Sequence, residues 1–110
     1  MANAYKILGQ SAPGAASDTD VYTVPAATES VISTIIVANR AASAGTFRIA
    51  LRPDGGAIAN SHYIAYDVPI AANDSTTLTL GITLNAADVV TVQCSSADMT
   101  VSIFGTEITA

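Results

Sequence analysis

Apolar and polar residues alternate along this chain in short runs, and most runs close on Gly, Pro or an Asn-Asp pair. Successive side chains of a strand point to opposite faces, so a two-residue beat marks a half-buried strand. An amphipathic helix instead needs apolar residues at i, i+3 and i+4. No segment keeps that helical spacing for more than one turn.

Eight strands follow from this reading. Residues 5–10 form a short, mixed edge strand, and residues 19–24 alternate until Pro25, which has no N–H for a ladder. Residues 29–39 (ESVISTIIVAN) are the strongest candidate, because β-branched side chains are stiff at χ1 and pack well on a pleated surface. Both faces of that strand are apolar, which places it centrally. Residues 46–52 alternate cleanly, with Phe47, Ile49 and Leu51 inward and Arg48 and Arg52 outward. The run Pro53, Asp54, Gly55, Gly56 is a turn. Residues 63–68 are a strand stopped by Pro69, and residues 75–80 follow the Asn73-Asp74 turn. Residues 84–88 read as a tight turn, and residues 89–94 and 99–104 complete the set, the last with room to continue to Ile108.

Short strands with regular turns predict an all-β, single-domain β-sandwich over residues 1–110, jelly-roll-like, with about eight short antiparallel strands. An immunoglobulin-like sandwich has the same spacing, but its Cys…Trp…Cys hallmark is missing. The expected core is Val21, Val31, Ile35, Val37, Phe47, Ile49, Leu51, Ile64, Leu78, Leu80, Val90, Val92, Val101 and Ile103.

Charge narrows the function. Only 12% of the residues are charged, against about 25% in ordinary soluble domains. Thr, Ser, Asn and Ala take the outward positions, and such faces suit contact with other proteins. The net charge of −5 rests on nine acids and four bases, too few cations to neutralise phosphates, so no nucleic-acid partner is expected. No run reaches the roughly 18 apolar residues of a membrane helix, and the first residues lack the basic and apolar segments of a secretory signal. No membrane partner is expected. The single cysteine, Cys94, cannot form an internal disulfide and suits a reducing cytoplasm.

Chemistry is sparse. His62 is the only histidine, and Ser61 and Asp67, near it in sequence, do not by themselves make a triad. Asp18 and Asp20 could offer oxygens to calcium, but the EF-hand pattern is absent, and a capped turn is the simpler reading. Gly55-Gly56 lacks the Lys-Ser/Thr of a phosphate loop. The expectation is therefore no enzyme, no catalytic residue, no metal and no cofactor. Candidate interface residues are Arg48, Arg52, Tyr63, Tyr66 and Tyr5. Arg48 and Arg52 share one face about 13 Å apart. They can bind a neighbour's carboxylates, or local ones such as Asp54 or Asp67. Tyr63 and Tyr66 fall on opposite faces of their strand. A sugar platform has little support without Trp.

Several segments carry a resemblance: the start MANAYKILGQSAP, VYTVPA at 21–26, VIST at 31–34 leading to VANR at 37–40, FRIALRP at 47–53, PIAAND at 69–74, LTLGITL at 78–84 and FGTEIT at 104–109. Together they resemble small virion structural proteins of tailed bacteriophages, often cyanobacterial phages. The resemblance implies a place in the virion, assembled in the host cytoplasm. It implies first a capsid decoration (cement) protein, often a homotrimer, bound to the major capsid protein or another virion protein. A neck, tail or baseplate component is the alternative, and a receptor- or glycan-binding module a further one.

Overall fold

Runs of Val, Ile, Thr and aromatic residues form nine strands among the residues that the structure, a computed structural model, describes: 2–79 and 81–109. They are β1 (Ala2–Ser11), β2 (Thr19–Thr23), β3 (Thr28–Asn39), β4 (Gly45–Arg52), β5 (Tyr63–Ile70), β6 (Ser75–Leu78), β7 (Ile82–Leu84), β8 (Val89–Cys94) and β9 (Met99–Thr109). Two 3-10 turns, Pro53–Gly55 and Asn60–His62, join β4 to β5.

The pairing is nested. β4 pairs with β5, β3 with β6 and β7, β2 with β8, and β1 with β9, all antiparallel. The chain is thus one long ribbon folded at the 53–62 turn. Pairing of β3 with β9 and of β4 with β8 then rolls the ribbon into two sheets, β1-β9-β3-β6 with β7 also on β3, and β2-β8-β4-β5. This is the strand order of a jelly roll, and it separates the chain from an immunoglobulin-like sandwich. The break between Leu78 and Ile82 makes two strands of one position, so nine strands fill the eight places that the sequence predicts. Gly81, at φ +62°, lies in that break. β7 lies partly where a turn was expected, and β1 is ten residues long where a short strand was expected. Pro69 does not stop β5, which runs on to Ile70; an edge strand can leave a prolyl nitrogen facing outward.

The core lies between the sheets. Ile35, Val37, Phe47, Ile49, Val90, Val92, Val101 and Ile103 are buried as expected, and Leu51 and Leu78 pack at its margin. Leu80 lies outside the described residues. Two expectations fail and a third residue is moved to the margin, each at a β-bulge. β3 has an extra residue at Ser33, so Ser30 and Ile32 point inward before it and Ile35 and Val37 after it. Val31 therefore faces outward. β2 is bulged at Val21, which packs at the core margin while Tyr22 and Val24 take the fully buried places. β5 has an extra residue at Ile64, which is left 41% exposed while Ala65 turns inward. An inserted residue reverses the parity of everything beyond it.

β9 stays regular between two bulged neighbours, β1 at Leu8 and β3 at Ser33. Gly105 sits at this crossing, where a Cβ would collide with the carbonyl oxygen of Val31 and the Cα of Ile32. The three long strands β1, β3 and β9 overrun the shorter second sheet, and the molecule measures 45 × 27 × 20 Å.

The bulge at Ser33 has a direct test. Ile32→Ala opens a cavity in the core and costs about 3 kcal/mol, while Val31→Ala costs about 1 kcal/mol or less. Urea denaturation of the two variants reads the difference, and equal costs contradict the bulged register.

Candidate interaction surfaces

The two outward faces differ in chemistry. On the β2-β8-β4-β5 sheet, the alternation of β4 turns Arg48 and Arg52 outward, as the sequence predicts. Each has a partner within the chain. Arg52 donates from Nε to Thr91 Oγ1 (3.0 Å), from Nη1 to the Gly55 and Gly56 carbonyls (3.0 and 2.9 Å) and from Nη2 to Asp20 Oδ1 (2.9 Å). Thr91 also donates to Asp20, at 2.8 Å. Arg52 therefore ties the turn after β4 to β2 and β8. Its carboxylate is Asp20, not Asp54.

Arg48 donates to both oxygens of Asp67, at 2.7 and 3.3 Å, and its guanidinium lies 4.0 Å from the centre of the Tyr66 ring. Two bulges in β5 build this group. The extra residue at Ile64 puts Tyr63 and Tyr66 on one face, with ring centres 4.9 Å apart and edge to face, where unbroken alternation predicted opposite faces. A second extra residue opposite Arg48, with Asp67 at φ +51°, turns Tyr66 and Asp67 toward the same guanidinium. Asp is among the few residues that tolerate this left-handed conformation. The hydrogen bond from Arg48 holds the Asp67 carboxyl below its usual range and raises the guanidinium further. Tyr66 is 56% exposed.

The β1-β9-β3-β6 sheet turns a different face to solvent. Its rows run Asn3, Ile108, Glu29; then Tyr5, Thr106, Val31, Thr83; then Ile7, Phe104, Thr34; then Gln10, Ser102, Ile36, Thr77. Glu29 is the one charged residue in those rows. Tyr5 is 80% and Ile7 52% exposed, and with Phe104, Ser33 and Thr106 they line an open depression. Of the five candidate interface residues, Arg48, Tyr63 and Tyr66 come together, Arg52 belongs to the adjacent Asp20 cluster, and Tyr5 lies on the opposite sheet.

A polar clasp joins the sheets where β1, β3 and β9 overrun. Tyr22 of β2 donates to Glu107 of β9 at 2.6 Å, leaving its oxygen to accept from Ser30 of β3, also at 2.6 Å. Lys6 of β1 pairs with the other Glu107 oxygen at 2.5 Å. Burial, and then the bond to Glu107, pushes the Tyr22 hydroxyl up to about 12. Lys6, and then Tyr22, hold the Glu107 carboxyl below its ordinary value. The sequence offered no signal for this set, since its four members come from four strands.

His62 accepts the Ala59 amide at Nδ1 (3.1 Å), which closes its own turn. Asp18 accepts from Gln93 at 3.2 Å, and Asp20 is taken by Arg52 and Thr91, so both carboxylates serve protein donors. Among the described residues no three His, Cys, Asp or Glu gather as a metal site would require. Cys94 is buried, and burial pushes its thiol up to about 11. No helix is long and apolar enough to cross a membrane among the described residues. The sequence matches no protein-family model and no curated protein, and the fold matches no solved structure.

Two measurements test these assignments. Arg52→Ala, which frees two carbonyls and a carboxylate, lowers the thermal midpoint by about 5 °C or more; Arg48→Ala, which removes an exposed pair, leaves it nearly unchanged. The clasp has a pH signature. A raised Tyr22 hydroxyl adds stability that is complete below its ordinary value of 10.0 and is lost as pH climbs through about 12. A lowered Glu107 carboxyl adds stability that is complete above its ordinary value of 4.5 and is lost as pH falls below it. Tyr22→Phe flattens the alkaline limb and costs about 1–3 kcal/mol at neutral pH, read by denaturant titration across the pH series.

Proposed function

We propose that this protein is a bacteriophage virion structural protein, a capsid decoration (cement) protein that stabilises the assembled shell through protein–protein contacts. The observation that carries the reading is the outward face of β1-β9-β3-β6. Its strand rows hold one carboxylate, and its exposed apolar groups, Tyr5 and Ile7, sit among Thr, Ser and Val. Covering such a face with another protein removes apolar area from water and leaves almost no charge to desolvate. The resemblance of the strand-and-turn segments to tailed-phage virion proteins points the same way.

A decoration protein works by mass action. A subunit that binds only the assembled shell stabilises it, and many weak copies add up. In this reading the chain acts as a homotrimer seated where major capsid subunits meet, with its acidic net charge of −5 facing away from packaged DNA. No nucleic acid, membrane, metal or cofactor enters the reading, and it assigns no reaction.

A neck, tail or baseplate position uses the same face in fewer copies. A receptor- or glycan-binding role has its own supporting observation, the exposed Tyr63–Tyr66 pair beside Arg48 and Asp67. Aromatic rings with neighbouring hydrogen-bonding groups can hold a sugar.

Quantitative mass spectrometry of purified particles separates these roles. The decoration reading expects hundreds of copies per particle. Tens of copies or fewer move the protein to the neck or tail. Binding of the isolated protein to host cells, lost in Tyr66→Ala, moves it to receptor recognition. Absence from the particle removes all three.

A further inference from the structure

Among the described residues, three of the four sheet edges are interrupted. Opposite β1, the edge is split into β6 and β7, four and three residues long. In the second sheet, β2 has five residues and a bulge at Val21. β5 carries two bulges, the left-handed Asp67 and Pro69. Short, bulged or proline-bearing edges resist pairing with another chain. The first part of β1 has none of these features. Residues 2–7 follow the register of β9 without a break, and all six are exposed. They pair with β9 on one side and, among the described residues, with no strand on the other. Lys6, a residue type that often guards an edge, is drawn to Glu107 on the inner face. A row of free main-chain N–H and C=O groups is a template for one structured partner, an extended strand.

We propose that this part of β1 pairs antiparallel with β1 of a second copy, residues 3–7 against residues 7–3, about a two-fold axis at Tyr5. Charge selects the second copy's β1 as the occupant. Two molecules of net charge −5 repel over most approaches, but residues 2–7 bring one lysine and no acid. The same stretch of β1 is also the longest unbroken edge segment that a second copy offers among the described residues, so a copy meeting this edge pairs through its β1. Charge and apolar cover select the register. An axis at Lys6 sets two lysines opposite each other, which is unfavourable. An axis at Ala4 pairs as many residues as one at Tyr5, 2–6 against 3–7, but leaves the exposed Ile7 uncovered. An axis at Tyr5 sets Tyr5 against Tyr5, Lys6 against Ala4 and Ile7 against Asn3. The depression lined by Tyr5, Ile7 and Phe104 then continues across the axis into its copy, and the most exposed large apolar side chain, Tyr5 at 80%, is covered.

A two-fold contact uses the same patch on both copies and closes on itself, so it does not grow into a fibre. Five paired residues on each copy cover less than the about 800 Å² per partner of a standard interface, and the pair forms reversibly with concentration. The contact does not depend on where the protein resides. Where copies are also gathered into trimers, it joins one trimer to the next.

Sedimentation of the full chain over a concentration series tests the proposal, with two variants. The wild-type mass doubles with concentration. Tyr5→Asp sets two carboxylates across the axis and abolishes the doubling, with circular dichroism and melting unchanged. Tyr5→Cys oxidises to a covalent dimer, because directly opposed Cβ atoms lie about 4.5–5.5 Å apart. Asn3→Cys, opposite Ile7, does so far less. Cys94, at 0% exposure, does not contribute. A constant wild-type mass, or a doubling that survives Tyr5→Asp, overturns the proposal. A low copy number in particles bears on the decoration reading and leaves this result standing.

Discussion

The pairing of β3 with β9 is the constraint on which the rest of the molecule depends. It runs from Thr28 opposite Thr109 to Asn39 opposite Met99 and converts a long folded ribbon into two sheets. Without that seam, β1 and β9 would pair as an isolated two-stranded ribbon, which is marginal in water. With it, the inward rows of both sheets meet, and Phe47, Ile49, Val92 and Ile103 lose nearly all contact with solvent. The seam also explains Gly105. The strands approach so closely there that a side chain on β9 would displace the β3 backbone, and overpacking of that kind carries its own cost.

Bulges tune what the seam leaves rigid. Those at Leu8 and Ser33 flank one stretch of β9 and let Ile32, Ile35 and Val37 of β3 face the core together with Met99, Val101 and Ile103 of β9. Those in β5 act on the outside, where they gather Tyr63, Tyr66 and Asp67 around Arg48. The same device serves packing on one sheet and surface chemistry on the other. Where the long strands outrun the second sheet, burial is replaced by the Tyr22, Ser30, Glu107 and Lys6 clasp, whose polar atoms satisfy one another as buried groups must.

The contrast between the outward faces frames the functional reading. The two arginines that stood out in so acidic a sequence are both spoken for, Arg52 by a turn and Asp20, Arg48 by Asp67. The weakly charged sheet, not the arginine-bearing one, is the surface with the least to lose on being covered. Of the proposed interface residues, Tyr5 is the one on that side. It stands on the unbroken first part of the β1 edge, so face and edge meet in one place.

The two-residue beat by itself determined that the chain is all-β, where most strands lie, and much of the core, because local alternation and turn chemistry act within a few residues. Val90, Val92 and Cys94 on one face, and Phe47 and Ile49 inward, were legible for that reason. Only the tertiary structure decided which face of β2, of the first part of β3 and of β5 is buried. One inserted residue reverses strand parity, and whether it is accommodated as a bulge depends on a partner strand up to about a hundred residues away. The clasp and the Tyr63–Tyr66 cluster were hidden for the same reason: their members meet only through pairings that no stretch of sequence contains.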